Sequence, residues 1–216
     1  MSGHLIALLP VGAAVFAVPQ FAPQLVRVRR LGACAGVSFT WAAMTCVNNA
    51  AWVAYFTQSH LYSALVPATA AAVFAGLLTA QLARLHTVPR GPALAVTGWA
   101  LGLAAAGVGY GRIGLGTALA GAFFLQVTPS VWTAYRTRHL SGVSIGTWLL
   151  IFAELACFGL FGVAESDPRL MMLGGTGVCA SILMLSRVAW VRWIRLSTAC
   201  KDVPEPARLT STASAG

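Results

Sequence analysis

The sequence predicts an all-α integral membrane protein of seven transmembrane helices, built as two parallel three-helix-bundle repeats joined by a linker helix (3+1+3). Three observations predict it. Of 216 residues, 58% are hydrophobic and 9% charged, with a mean hydropathy of +0.77, against roughly 25% charged residues in an ordinary soluble domain. Apolar stretches of spanning length recur along the chain, with the charges held in short connections. The chain also matches itself at an offset of 106 residues.

The spans fall near 5–26, 37–57, 61–83, 92–110, 113–135, 143–164 and 169–191, each about the length that crosses a hydrocarbon core of roughly 30 Å. The first has no basic residue before it, so it reads as a retained helix and not as a cleaved signal peptide. The net charge of +9 does not mark a nucleic-acid binder, because the basic residues stand in small groups between the spans. On one side fall Arg27, Arg29, Arg30, Arg84, Arg90, Arg136, Arg138, Arg187, Arg192, Arg195, Lys201 and Arg208; the other has Arg112 and Arg169. The positive-inside rule makes the richer side cytoplasmic, so an odd number of spans puts the N-terminus outside a cell (inner) membrane. Cys200–Gly216, polar and holding Pro204 and Pro206, reads as a tail without fixed structure.

The 106-residue offset aligns Gln20 with Gln126, Pro23 with Pro129, Gly36-Val37-Ser38 with Gly142-Val143-Ser144, and Asn48 with Glu154. It divides the chain into a first triple-helix repeat (1–84), a linker helix (85–111), a second repeat (112–195) and a tail (196–216). A single linking span gives both repeats the same orientation. The linker carries Gly98-x-x-x-Gly102, a small-residue face that lets helices approach closely.

Asn48, Trp52 and Tyr55 share one helical face, and Glu154, Phe158 and Phe161 occupy the aligned places. Asn48 and Glu154 both fall near mid-membrane. An ionisable group there costs on the order of 3 kcal/mol, which makes Glu154 a polar anchor for a solute or a proton acceptor, with a structural hydrogen bond as the alternative. Thr69 and Gly175, with Gly174 and Thr176, are further candidates for the same cavity, although small residues also serve packing. Pro19, Pro23 and Pro129 interrupt helical hydrogen bonding and offer places to bend.

Two pattern matches carry no catalytic meaning. Gly142-Val143-Ser144-Ile145-Gly146 reads as G-x-S-x-G but follows a basic membrane connection, not a strand. Gly109-Tyr110-Gly111-Arg112-Ile113-Gly114 reads as G-x-G-x-x-G without a βαβ unit, and marks a turn between the fourth and fifth spans. The five cysteines lack metal-type spacing. The sequence therefore implies no enzyme, cofactor, metal or nucleic-acid partner.

Pro23-Gln24-Leu25, the basic connection, Gly36-Val37-Ser38 and Asn48-x-x-x-Trp52-x-x-Tyr55, repeated in part, resemble the PQ-loop and SWEET superfamily over the seven spans. That resemblance implies alternating access between two triple-helix bundles, moving a small polar solute, a sugar first, by passive uniport or with proton linkage. It implies hinges at Pro23, Gln24, Gln126 and Pro129, and a pocket aromatic at Trp52 matched by Phe158. Three features depart from it: the second motif is Pro129-Ser130, the third and seventh spans have no asparagine, and Glu154 is unexpected in the sugar branch. An amino-acid transporter and a non-transporting sorting or assembly receptor are the alternatives. Expected partners are the solute and the bilayer, with room for a homo-oligomer.

Overall fold

A segment in hydrocarbon must satisfy its backbone N–H and C=O groups internally, which favours helix throughout an apolar chain. A computed structural model of the protein describes residues 3–31, 39–85, 88, 90–136 and 145–201, and no strand occurs among them. The elements are α1 (Gly3–Leu31), α2 (Phe39–Gln58), a 3-10 turn (Tyr62–Ala64), α3 (Leu65–Leu85), α4 (Arg90–Arg136), α5 (Ile145–Ala164) and α6 (Pro168–Lys201). Among the described residues, four helical segments are long and apolar enough to cross a membrane: Tyr62–Leu85, Arg90–Thr128, Ile145–Ala164 and Pro168–Val191. The apolar stretch of α1, Ile6–Gln20, is shorter, and α2 carries Thr45, Asn48 and Asn49 in its interior.

The 47 residues of α4 are not one rod. Gly111 breaks the helix with φ 59° and ψ −152°, a region open essentially to glycine alone and one in which a side chain would be strained by about 1–3 kcal/mol. The chain folds back there. A β-carbon at Gly107 would stand 3.9 Å from the Leu115 side chain, whereas eight residues of continuous helix span about 12 Å. Trp99 from the arm 90–110 and Gln126 from the arm 112–136 both hydrogen-bond Asn48, so the arms lie side by side on α2. The expected turn over Gly109–Gly114 is thus a break at a single residue.

Each helix packs on two neighbours, in the closed order α1, α3, α2, α4, α6, α5 and back to α1. The 106-residue offset carries this ring onto itself. It converts the bounds of α2 into those of α5, takes α1 into the second arm of α4, and takes α3 into α6. The turns agree atom for atom. After α2, Leu61 N donates to Phe56 O (2.9 Å) and His60 N to Thr57 O (3.2 Å); after α5, Asp167 N donates to Gly162 O (2.8 Å) and Ser166 N to Val163 O (3.3 Å). Both are Schellman endings. The left-handed residue is His60 (φ 58°) in one and Ser166 (φ 53°) in the other.

Several local expectations change. Arg27–Arg30 belong to the last turns of α1 and not to a connecting loop, and α6 continues to Lys201, past the boundary set at 195. The Gly98-x-x-x-Gly102 face meets nothing: a β-carbon at either position would find open space. The close crossing is made instead by α5 and α6, where a β-carbon on Gly174 would come within 2.3 Å of Gly159 Cα. The Gly-Val-Ser runs at 36–38 and 142–144, and the chain beyond 201, lie outside the described residues.

The main core sits at the end of the bundle where α2 and α5 finish. It joins Trp52, Tyr55 and Phe56 of α2 to Leu155, Phe158 and Phe161 of α5, with Leu115 and Leu119 of α4 and Leu170 and Leu173 of α6. A smaller cluster at the other end, Leu25, Ala42, Leu78 and Leu82, draws on α1, α2 and α3 alone. Among the described residues, apolar packing therefore closes the ring across both halves at one end only.

Candidate functional site

Below that core the helices enclose a cavity of about 280 Å³, near the lower limit of small-molecule pockets, roughly 300 Å³. Polar side chains reach it from α1 (Gln20), α2 (Thr45, Asn48, Asn49), α4 (Gln126) and α5 (Glu154), and tryptophans from α2 (Trp41, Trp52) and α5 (Trp148). Among the described residues that line the cavity, Glu154 is the one carboxylate and none is a lysine or arginine. The chamber is thus electrostatically poor for anions and open to neutral or cationic groups.

At the cavity, two matched hydrogen bonds among the described residues cross between the halves of the ring. Gln20 Nε2 donates to Glu154 Oε2 at 2.7 Å, and to the carbonyl of Phe16 at 3.1 Å. Asn48 Nδ2 donates to Gln126 Oε1 at 3.5 Å. The 106-residue offset exchanges these pairs: Gln20 with Gln126, Asn48 with Glu154. They are unequal in strength and in surroundings. The Glu154 contact is short and able to carry charge assistance, whereas the amide pair is long, and Asn48 Oδ1 also accepts from Trp99 Nε1 at 2.7 Å. The Thr45 hydroxyl is buried against the cavity without a hydrogen-bond partner among the described residues, which makes it available to a bound solute.

One wall is a ladder of rings. Trp52 stacks on Phe56 (centroids 5.3 Å, 23°), and Phe56 on Phe158 (6.2 Å, 6°). Phe56 therefore stands between Trp52 and its match Phe158, and a solute would meet the ladder from the cavity side.

Above the ladder a polar bridge joins the halves. The Tyr55 hydroxyl, on the last turns of α2, donates to Asp167 Oδ2 at the head of α6. Asp167 caps α6 by accepting from Arg169 N at 2.9 Å, and the Arg169 guanidinium stands 3.9 Å away. Gly116 allows this fit, since a β-carbon there would lie 2.5 Å from the Tyr55 ring and 2.7 Å from Arg169 Cδ. The matched residues in the other seam, Phe161 and Leu61, are apolar and pack in the same core.

Asn48, Trp52, Glu154 and Phe158 thus share one cavity, and Gln126 joins them. Thr69 and Gly175 do not. Thr69 is exposed on α3, and Gly175 borders a separate apolar groove between α4 and α6. Helix α1 passes through Pro19 and Pro23, and α4 through Pro129, without loss of helical assignment; the side chains of Pro23, Gln24 and Pro129 lie outside the described residues. Sequence reasoning missed Gln20, Thr45, Trp99 and the Tyr55–Asp167 bridge. Gln20 was findable, because the offset that pairs Asn48 with Glu154 also pairs Gln20 with Gln126. Among the described residues no three His, Cys, Asp or Glu side chains group as metal ligands would. No protein-family model matches the chain, and no curated protein sequence matches it.

Proposed function

We propose that this chain is a transporter of the PQ-loop and SWEET type, carrying a small polar solute through a cell membrane by alternating access between its two triple-helix units. A sugar is the first solute class to test and an amino acid the second. The seven spans would be α1, α2, α3, the two arms of α4, α5 and α6, with the N-terminus outside and the C-terminus cytoplasmic. Exposed Trp132, Trp190 and Trp193 stand beside Arg136 and Arg187, as an aromatic belt stands at a cytoplasmic interface.

The observation that carries the reading is the exchange of Gln20–Glu154 for Gln126–Asn48 under the 106-residue offset, at a cavity between the halves of the ring. A solute held between pseudo-equivalent walls can be released to either face by parting the two halves at one end of the bundle or at the other. The geometry supports an inward-facing state, because the cross-half core and the Tyr55–Asp167 bridge close the outer end, while Trp41 and Gln126 are exposed towards the basic end.

The test is uptake of labelled sugars and amino acids into proteoliposomes containing the full chain. One solute class is expected to enter saturably, and Thr45→Phe, which places a ring in the cavity, is expected to reduce entry to that of protein-free vesicles. Flux unaffected by Thr45→Phe would remove the cavity from the route. Absence of any flux, with a partner protein co-purifying, would favour a sorting or assembly receptor.

A further inference from the structure

Between α4 and α6 lies a groove of about 640 Å³ whose lining meets that of the cavity at Val127. Its walls are almost wholly apolar: Phe124, Val131 and Trp132 from α4 face Gly175, Cys179 and Leu183 from α6. Trp132 (58%) and Leu183 (45%) are largely exposed. With the chain embedded in a bilayer, such a groove would open onto lipid and take something apolar.

One end of the groove has different chemistry. The Tyr135 hydroxyl closes it by donating to Leu183 O at 3.1 Å. Two arginines stand at that end, one from each wall, each over a ring that lines the groove. Arg136 Cζ lies 4.5 Å from the Trp132 ring centroid. Arg187 Cζ lies 5.7 Å from that of Tyr135, and its Nε donates to Ala134 O at 3.2 Å. An acyl-length apolar slot ending in two cations is complementary to a single amphiphile with an anionic head.

We propose that the α4/α6 groove binds an anionic membrane phospholipid, its acyl chain along Phe124, Trp132 and Gly175 and its phosphate against Arg136 and Arg187. The site needs only that the chain is embedded in a bilayer, and it stands whether or not the central cavity transports. Because both walls belong to the same half of the ring, a bound lipid would tie α4 to α6 while leaving the seams α1/α5 and α2/α4 free to part. The arginine-rich end is the one assigned to the cytoplasm, where anionic headgroups concentrate.

The experiment compares phosphatidylglycerol with phosphatidylcholine of the same chains on the purified full-length protein, by native mass spectrometry and by the unfolding midpoint in detergent. Phosphatidylglycerol is expected to be retained and to raise the midpoint, with a preference over phosphatidylcholine of about fivefold for each arginine engaged. Arg136→Gln, at an exposed helix end, should reduce that preference about fivefold. Gly175→Phe fills the slot from a position where a side chain meets open space, and should abolish retention of phosphatidylglycerol while the midpoint without lipid stays near wild type. Equal retention of the two lipids by the wild-type protein overturns the proposal without recourse to any variant. So does a preference unchanged in Arg136→Gln, or a midpoint that rises with protein concentration and not with lipid, which would place a second copy of the chain in the groove.

Discussion

Asp167→Ala is expected to destabilise the folded chain by about 3 kcal/mol. The side chain has two separable roles in the structure. As the cap of α6, with Pro168 at the first helical position, it satisfies the Arg169 backbone N–H, a contact worth about 1 kcal/mol. As the acceptor for Tyr55, it satisfies a hydroxyl on a residue only 1% exposed, and stranding such a donor costs about 1–3 kcal/mol. The ion pair with Arg169 adds less, since it is 3.9 Å long and the arginine is a quarter exposed. Asp167→Asn keeps a capping oxygen and an acceptor, and should lose under about 1 kcal/mol. Tyr55→Phe removes one donor, leaves the cap intact, and should fall between the two. Unfolding of the three variants in detergent, followed by circular dichroism, gives the ranking. An Asp167→Ala midpoint equal to wild type would mean that the bridge does not hold that end of the bundle.

The second large effect is expected at Glu154. Glu154→Leu removes the acceptor of Gln20 and leaves a polar amide facing an apolar wall, a loss of about 1–3 kcal/mol, or roughly 5- to 150-fold in half-saturation if the pair contacts the solute. Glu154→Gln preserves size and the acceptor oxygen but cannot exchange a proton. In proteoliposomes it is expected to keep uptake near the wild-type rate and to make it indifferent to a pH gradient that stimulates the wild-type protein. Gradient dependence that survives Glu154→Gln would assign the proton to another group. Wild-type uptake that ignores the gradient would make the mechanism passive and leave Glu154 a structural hydrogen-bond partner.

How far the sequence reveals the fold depends on the range of the interaction concerned. Apolar spacing and the 106-residue offset anticipate helices throughout, the bounds of α5 from those of α2, and a break near Gly109–Gly114, because each rests on local backbone preference or on repetition. The gathering of Asn48, Trp52, Glu154 and Phe158 at one cavity follows from the same offset together with helical periodicity. Orientation about a helix axis is less legible where side chains are small. Gly174 and Gly175 are adjacent, yet one makes the α5/α6 crossing and the other borders the outer groove, and nothing in a run of glycines tells the two faces apart. Thr69 was a candidate for the cavity, with small-residue packing as the alternative, and the structure leaves it exposed on α3. The Gly98/Gly102 face was expected to pack and is open. The Tyr55–Asp167 bridge escaped for a different reason: its two residues are matched in the repeat by Phe161 and Leu61, so symmetry argued against looking for a polar pair there.

The placement of the indoles has a practical consequence. Of the seven tryptophans, Trp41, Trp52 and Trp148 line the central cavity and Trp99 bonds Asn48 on its wall, whereas Trp132, Trp190 and Trp193 stand at the arginine-rich rim. The protein's own ultraviolet emission is therefore divided between two populations, one at the chamber and one at the arginine-rich rim. A solute entering the cavity and a lipid settling at the rim would perturb different chromophores, and a quencher confined to the bilayer would separate the two signals without any label.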